Sequence, residues 1–205
     1  MKLGKRIIST ILTVITVSLA CAATANADYT HFPPSGYGKL HTYTVWDTMD
    51  WIGDCRQLIN YGYNNHLISD SYGIVKYGDY FAGATTTTLG RVGDLLLVVE
   101  EHGVICPIII QDIKSQNDTG CNAWGHYNGQ CMVEFEILSC MKNVLYKNGS
   151  GSYISELLNR PIYKVINIGS IYDNTTSFKD VKQACKDYGL NNYYILTSPY
   201  GGENV

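Results

Sequence analysis

Four carboxylates and a lysine are gathered in VICPIIIQDIKSQNDTGCNAWGHYNGQCMVEFEIL, residues 104–138. Asp112 ends an apolar run, where a carboxylate is costly unless it is hydrogen-bonded or put to use. A carboxylic acid in a partly apolar wall has a raised pKa, which suits proton donation to a leaving oxygen. Lys114, two residues on, works against that by favouring the ionised form, and its simplest role is as the ion-pair partner of a neighbouring acid. Asp118 stands in an open polar loop, as an Asx-turn or as a second candidate acid. Glu134 is a possible partner for Asp112, though alternation in MVEFEIL also lets Glu134 and Glu136 form a solvated strand face. Trp124, His126 and Tyr127 offer flat faces for stacking on a ring. The plain alternative is that Asp112 caps a turn and Trp124 packs its loop.

The elements that must position these residues are short strands and turns. DLLLVVE and VICPIIIQ are continuous apolar runs joined by Glu101-His102-Gly103, a hairpin by composition and buried on both faces, as in a small closed barrel. MVEFEIL puts Val133, Phe135 and Ile137 on one face and the two glutamates on the other. Upstream, DYTHFPPSGYGKLHTYTVWDTMD reads as an extended arm with TYTVW as a possible strand. WIGDCRQLIN suggests a short helix over 51–60 with Trp51, Cys55, Leu58 and Ile59 on one side. Downstream, KNGSGS is a loop, ISELLN a single helical turn, and RPIYKVINIGSIYD a last strand opened by Pro161. Ser177, Asp180 and Gly189 read as the N-cap, first-turn acid and terminator of a helix of about ten residues, after which the tail ends loosely.

Residues 1–27 form a signal-peptide pattern: basic MKLGKR, an apolar core, and Ala25-Asn26-Ala27 as the cleavage site. Cleavage after Ala27 predicts a secreted protein with no permanent membrane anchor; lipidation at Cys21 is the weaker alternative, because Ser18 does not fit a lipid-attachment box. The mature chain carries 12 basic against 18 acidic residues, a charge of −6, which argues against nucleic acid and anionic lipid. It retains Cys55, Cys106, Cys121, Cys131, Cys140 and Cys185, and an even count in an exported chain predicts disulfides. A local bridge between Cys121 and Cys131 is favoured. No CxxC pair exists and His126 is alone between two cysteines, so no metal and no cofactor is expected. Cys55 and Cys106 have no thiol-protease motif around them.

The order KYGDYFAGA, VGDLLLVVEEHGVICPIIIQDIK, GHYNGQCMVEFEI resembles a family of exported bacterial and phage-associated cell-wall proteins. It is also similar to the wider superfamily of three-aspartate (3D) domains of lytic transglycosylases, rare lipoprotein A and the expansins. The resemblance covers roughly residues 70–172. It implies an all-β fold, a six-stranded double-psi β-barrel with an N-terminal extension and a short C-terminal helix. The segments would be signal peptide 1–27, extension 28–69, barrel-like domain 70–175, and helix and tail 176–205. It further implies that Asp112 matches the family's strand-end Asp and that the second Asp falls near Glu134, with Asp118-Thr119-Gly120 competing for the first position. The chain departs from the pattern at the upstream Asp, replaced within AGATTTT, at Gln111 in place of Gly, and in its two loop cysteines. The expected function is binding of peptidoglycan or a related wall glycan. The alternatives are lytic-transglycosylase-like cleavage with Asp112 as acid/base, and a disulfide-stabilised secreted effector.

Overall fold

The computed structural model describes residues 29–38, 42–45, 53–142, 156–158, 160–173 and 180–205. The leader with Cys21, and also Trp51, the KNGSGS loop and Ser177, lie outside the described residues. In chain order the strands are β1 (Tyr29–His31), β2 (Thr42–Val45), β3 (Ile68–Ser71), β4 (Ile74–Tyr77), β5 (Tyr80–Thr86) and β6 (Asp94–Glu100). They continue as β7 (Val104–Lys114), β8 (Glu134–Ile137), β9 (Ile162–Ser170), β10 (Tyr194–Ser198) and β11 (Gly201–Asn204). Two helices accompany them, α1 (Gly53–Asn64) and α2 (Val181–Asp187).

The hairpin at Glu101-His102-Gly103 forms, pairing β6 with β7 from Val99↔Ile105 to Leu95↔Ile109, with His102 and Gly103 at φ of 75° and 81°. The two runs are apolar throughout because both faces of this hairpin are covered. Leu95, Leu97 and Val99 join one core cluster with Ile105 and Ile109. Leu96 and Val98 join a second with Cys106, Ile108 and Ile110. The first cluster lies under α1 and α2, through Cys55, Leu58, Ile59, Val181, Ala184 and Cys185. The second is closed by the strands themselves, with Phe81 and Phe135 edge to face at 5.9 Å.

The strands form one mixed sheet in the order β1-β9-β6-β7-β5-β4-β8-β2, with β5 also paired to β8, β3 on β4, and β10 on β7. The all-β expectation holds in this coarse form: mostly β, and parallel at β5–β7, β10–β7 and β2–β8. The sheet has more than six strands and is not closed, since β1 and β2 end it at opposite margins. Both come from the segment read as an extended arm: β1 pairs with β9 and β2 with β8. Pro107 sits inside a central strand without breaking it. It falls between the part of β7 paired with β10 (Val104, Ile105) and the part paired with β5 (from Ile108 on), so its missing N–H interrupts neither ladder.

Three local expectations are corrected. The first helix continues beyond residue 60 to Asn64, and Gly62 lets it lie close to the sheet, where a Cβ would come within 2.5 Å of the Tyr77 ring. Asp180 is the N-cap of α2 rather than a first-turn acid: its side chain accepts from Lys182 N–H at 2.8 Å. The tail does not end loosely, because β10 and β11 form a hairpin docked on β7. Gly202 allows that hairpin to close, since a Cβ there would meet Ile195 O at 1.9 Å.

Glu100 ends β6 with only 1% of its surface exposed, and neither carboxyl oxygen has a hydrogen-bond partner. Burial pushes its pKa from 4.5 up to about 8, with Arg160 pulling weakly the other way. A raised folded-state pKa means full stability below about 4.5 and loss as the pH climbs towards 8. Glu100→Gln should therefore gain on the wild type by about 1.4 kcal/mol per pH unit across that window. Chemical denaturation at pH 5 and pH 8 measures this, and an equal difference at both pH values would contradict it.

Candidate functional site

The site is organised by a small residue. Ala84 on β5 lies opposite Asp112 of β7 on one side and opposite Glu134 of β8 on the other. Directly opposed residues share a face, so the two acids flank one methyl group in a single row across three strands. A bulge makes this register possible: Gly83 pairs with Ile110 and Ala84 with Asp112, leaving Gln111 as the extra residue. Gly83 is tight as well, since a Cβ would meet Val133 Cγ1 at 2.6 Å.

Gln111, standing where the resembled family has glycine, is a buried anchor. Its Oε1 accepts from Tyr77 O–H at 2.6 Å and its Nε2 donates to Cys55 O at 3.3 Å, fixing the first turn of α1 over the sheet. That turn brings the Cys55 thiol to Asp112, donating to Oδ1 at 3.6 Å. Burial, reinforced by the Asp112 charge, pushes the Cys55 pKa up to about 12. Cys55 is therefore a protonated donor that steadies Asp112, not a thiolate nucleophile.

Lys114 pairs with Glu134, its Nζ 2.5 Å from Oε2, and His126 Nε2 lies 3.4 Å from Oε1 of the same carboxylate. Burial pulls the lysine pKa down, but Glu134, with Asp112 and Glu136 beyond it, outweighs that and holds the ammonium above its ordinary value. Glu136 follows on the same face. It is wholly buried, and both of its oxygens lack a hydrogen-bond partner. Burial raises its pKa well above the usual carboxylate range, helped by Asp112 and Glu134 and opposed by Lys114. Burial thus favours its protonated form. The reading of Glu134 and Glu136 as a solvated face is thus corrected: α1 and its neighbours cover that side of the sheet, so the alternation separates two buried faces.

The polar loop delivers His126 but not Asp118. Asp118 is exposed in a turn, its N–H donating to Ser115 O at 3.2 Å and its C=O accepting from Cys121 N–H at 2.9 Å. His126–Gly129 form a single turn with Tyr127 and Asn128 in the left-handed region, closed by His126 N–H to Cys131 O at 2.9 Å. Gly129 is required there, because a Cβ would lie 1.8 Å from the Tyr37 ring. Trp124 is half-buried against the inner cluster and packs the loop, whereas Tyr127 is 65% exposed.

The expected disulfides are not formed: Cys55, Cys106, Cys121, Cys131, Cys140 and Cys185 are all free thiols. They are dispersed by the fold, with Cys55 and Cys185 in the cluster under the helices and Cys106 in the other. Cys140 is exposed and Cys121 is partly exposed on the loop. The favoured partner of Cys121, Cys131, is buried with its thiol donating to Val133 O at 3.3 Å. Among the described residues no group of three or more His, Cys, Asp or Glu could hold a metal ion, and no helix is long and apolar enough to cross a membrane. Comparison with family models, with curated proteins and with solved structures finds no match to this chain.

Lys114→Met would leave Glu134 and Asp112 on a mostly buried face without their nearest cation. The expected cost is about 2–4 kcal/mol at pH 7, shrinking at about pH 11 as the wild-type ammonium, held above its ordinary 10.5, begins to lose its proton. Urea unfolding at the two pH values measures it, and a loss of the same size at both would show that the lysine acts through its packing alone.

Proposed function

We propose that the chain is an exported protein that acts on cell-wall glycan, with Asp112 as the acid/base of a lytic-transglycosylase-like cleavage. The observation that carries this reading is the row Asp112–Ala84–Glu134, two carboxyl-bearing residues converging on one methyl group. Their inequality matters as much as their proximity. Asp112 is partly exposed and accepts a weak thiol hydrogen bond, whereas Glu134 is paired with Lys114 and Glu136 is sealed. The acid able to meet a glycosidic oxygen is therefore Asp112.

In this mechanism Asp112 gives its proton to the glycosidic oxygen as the C–O bond breaks. The 6-hydroxyl of the same sugar then attacks the anomeric carbon and returns a proton to Asp112. Glu134, paired with the Lys114 ammonium, faces the positive charge that develops at the ring. In fold terms the reading treats the sheet as an elaborated and opened relative of the double-psi barrel, with the parallel β5–β7 pair and β8 as its catalytic edge.

Recognition of the glycan without cleavage is the second reading, favoured by the Lys114–Glu134 pair, which occupies one of the two acids. Turbidity of purified peptidoglycan separates the two. The wild type should clear it, Asp112→Asn should lose at least about 100-fold, and Asp118→Asn should clear it normally. Pelleting with the wall material without clearing would establish the binding reading. Neither clearing nor pelleting would overturn both, leaving the secreted-effector alternative, which no observation in the structure favours.

A further inference from the structure

Glu136 has no part in the chemistry assigned to Asp112 and Glu134, yet it is the most deeply buried of the three acids. It stands two residues beyond Glu134 on β8, hence on the same face, opposite to the one on which Phe135 and Ile137 join the inner cluster. That face looks towards Cys55, Ala82 and Ile109. None of the Glu136 surface is exposed, and neither carboxyl oxygen has a hydrogen-bond partner. Asp112 and Lys114 of β7, Glu134 of β8 and Cys55 of α1 are within electrostatic reach of it. Asp54 and Tyr172 stand behind Cys55, His126 stands beyond Glu134, and the Tyr77 hydroxyl is bonded to Gln111. The lysine of this set is already bonded to Glu134.

The cover over this acid is thin at one place, the first turn of α1. Gly53, Asp54, Arg56 and Gln57 are exposed there, and among residues 53–57 Cys55 alone is buried. Gln111 Nε2 to Cys55 O at 3.3 Å and the Cys55 thiol to Asp112 Oδ1 at 3.6 Å tie the turn to β7, and both bonds are long. The rest of the helix is held by packing. Leu58 and Ile59 are buried in the cluster, and Gly62 lies against Tyr77 and Ile68. The first turn can therefore lift while the remainder of α1 stays on the sheet.

We propose that Glu136 is a pH-sensitive latch beneath the first turn of α1, closed while the acid keeps its proton and released when it ionises. A carboxylate in that place has no donor to meet it and two further acids nearby, and water is the partner it lacks. Lifting the turn brings water to Glu136 and in the same movement withdraws the Cys55 thiol from Asp112. The sign follows from burial. The closed form holds the Glu136 pKa above its ordinary value, so it is favoured at acid pH and yields as the pH rises beyond the usual carboxylate range. The latch changes the surroundings of Asp112 with pH, and it stands whether or not a glycan is what the carboxyl row meets.

Alkylation by iodoacetamide, read thiol by thiol from peptide masses, tests the latch without any substrate. Exposed Cys140 reports the pH dependence of the reagent itself, and Cys106, buried in the other cluster, reports global unfolding. From about pH 6 to about pH 8 the rate at Cys55, divided by that at Cys140, should rise by up to about tenfold per pH unit while Cys106 stays protected. Glu136→Gln should flatten the rise, because an amide does not ionise. Gln111→Met, which removes the bond to Cys55 O, should raise Cys55 labelling at every pH and keep the slope. A flat Cys55 ratio in the wild type, or Cys106 rising in step with Cys55, overturns the latch with no variant needed. A Glu136→Gln protein that follows the wild type overturns it equally.

Discussion

The polar end of this molecule depends on one ion pair. β7 and β8 are covered on both faces along their apolar runs, and the side chains β7 carries past them are still partly buried, whatever their charge. Three acids and one lysine fall on the same covered side, where Lys114 against Glu134 offsets part of the like-charge repulsion. The remaining acids then take different states by environment. Asp112 reaches partly exposed surface and a thiol donor, and Glu136, with neither, has a pKa raised by burial. Neutralisation by burial is the ordinary way a protein accommodates a carboxyl it cannot pair.

That division of states is what gives the site a chemical direction. Like acids crowded together titrate as a group, and their neighbours decide which one holds a proton. Here the lysine occupies the central acid, and burial favours the proton on the innermost one. Asp112, at the mouth, is left as the acid positioned to exchange a proton with something outside. The arrangement needs Ala84 to remain small and Gly83 to lack a side chain, because any bulk on β5 at this level would part the two strands that carry the acids. β5 therefore acts as a spacer whose value lies in what it omits.

Much of the fold was legible because hydrophobic pattern and turn chemistry are local. The β6–β7 hairpin, the alternation in β8, the helix carrying Cys55 and the strand opened by Pro161 all follow from short windows. The site was legible in its residues and not in their environment. Alternation in MVEFEIL separates two faces, but says nothing about whether the glutamate face meets water or a helix. It meets the cluster under α1, a segment about 80 residues upstream in the chain. Gln111 was visible as a departure from glycine, yet its meaning required Tyr77 and Cys55, both distant in sequence. The disulfide expectation rested on an even count, and counting does not place Cys55 and Cys106 in separate clusters. The tail misled for a related reason: β10 is recognised by its pairing with β7 and β11 rather than by its own composition.

The same long-range dependence links the carboxyl row to a groove on the opposite face of the sheet, lined by Tyr29, His31, Thr87 and Thr88. The threonine run that stands where the resembled family has an upstream acid is structural at its start and exposed to the groove at its end. Thr85 donates to Met132 O at 2.9 Å and Thr86 to Ala123 O, fixing the loop above β8, while Thr87 and Thr88 turn to the groove and to Gln116. A missing acid at that place is thus not a gap in the molecule. The run passes position from β5 to the loop, and the loop passes it to His126 at the far side of Glu134. A substitution among these threonines would reach the acids through the backbone they hold and not through any charge of their own. On that view the threonines are the scaffold of the site, with Asp112 and Glu134 its working surface.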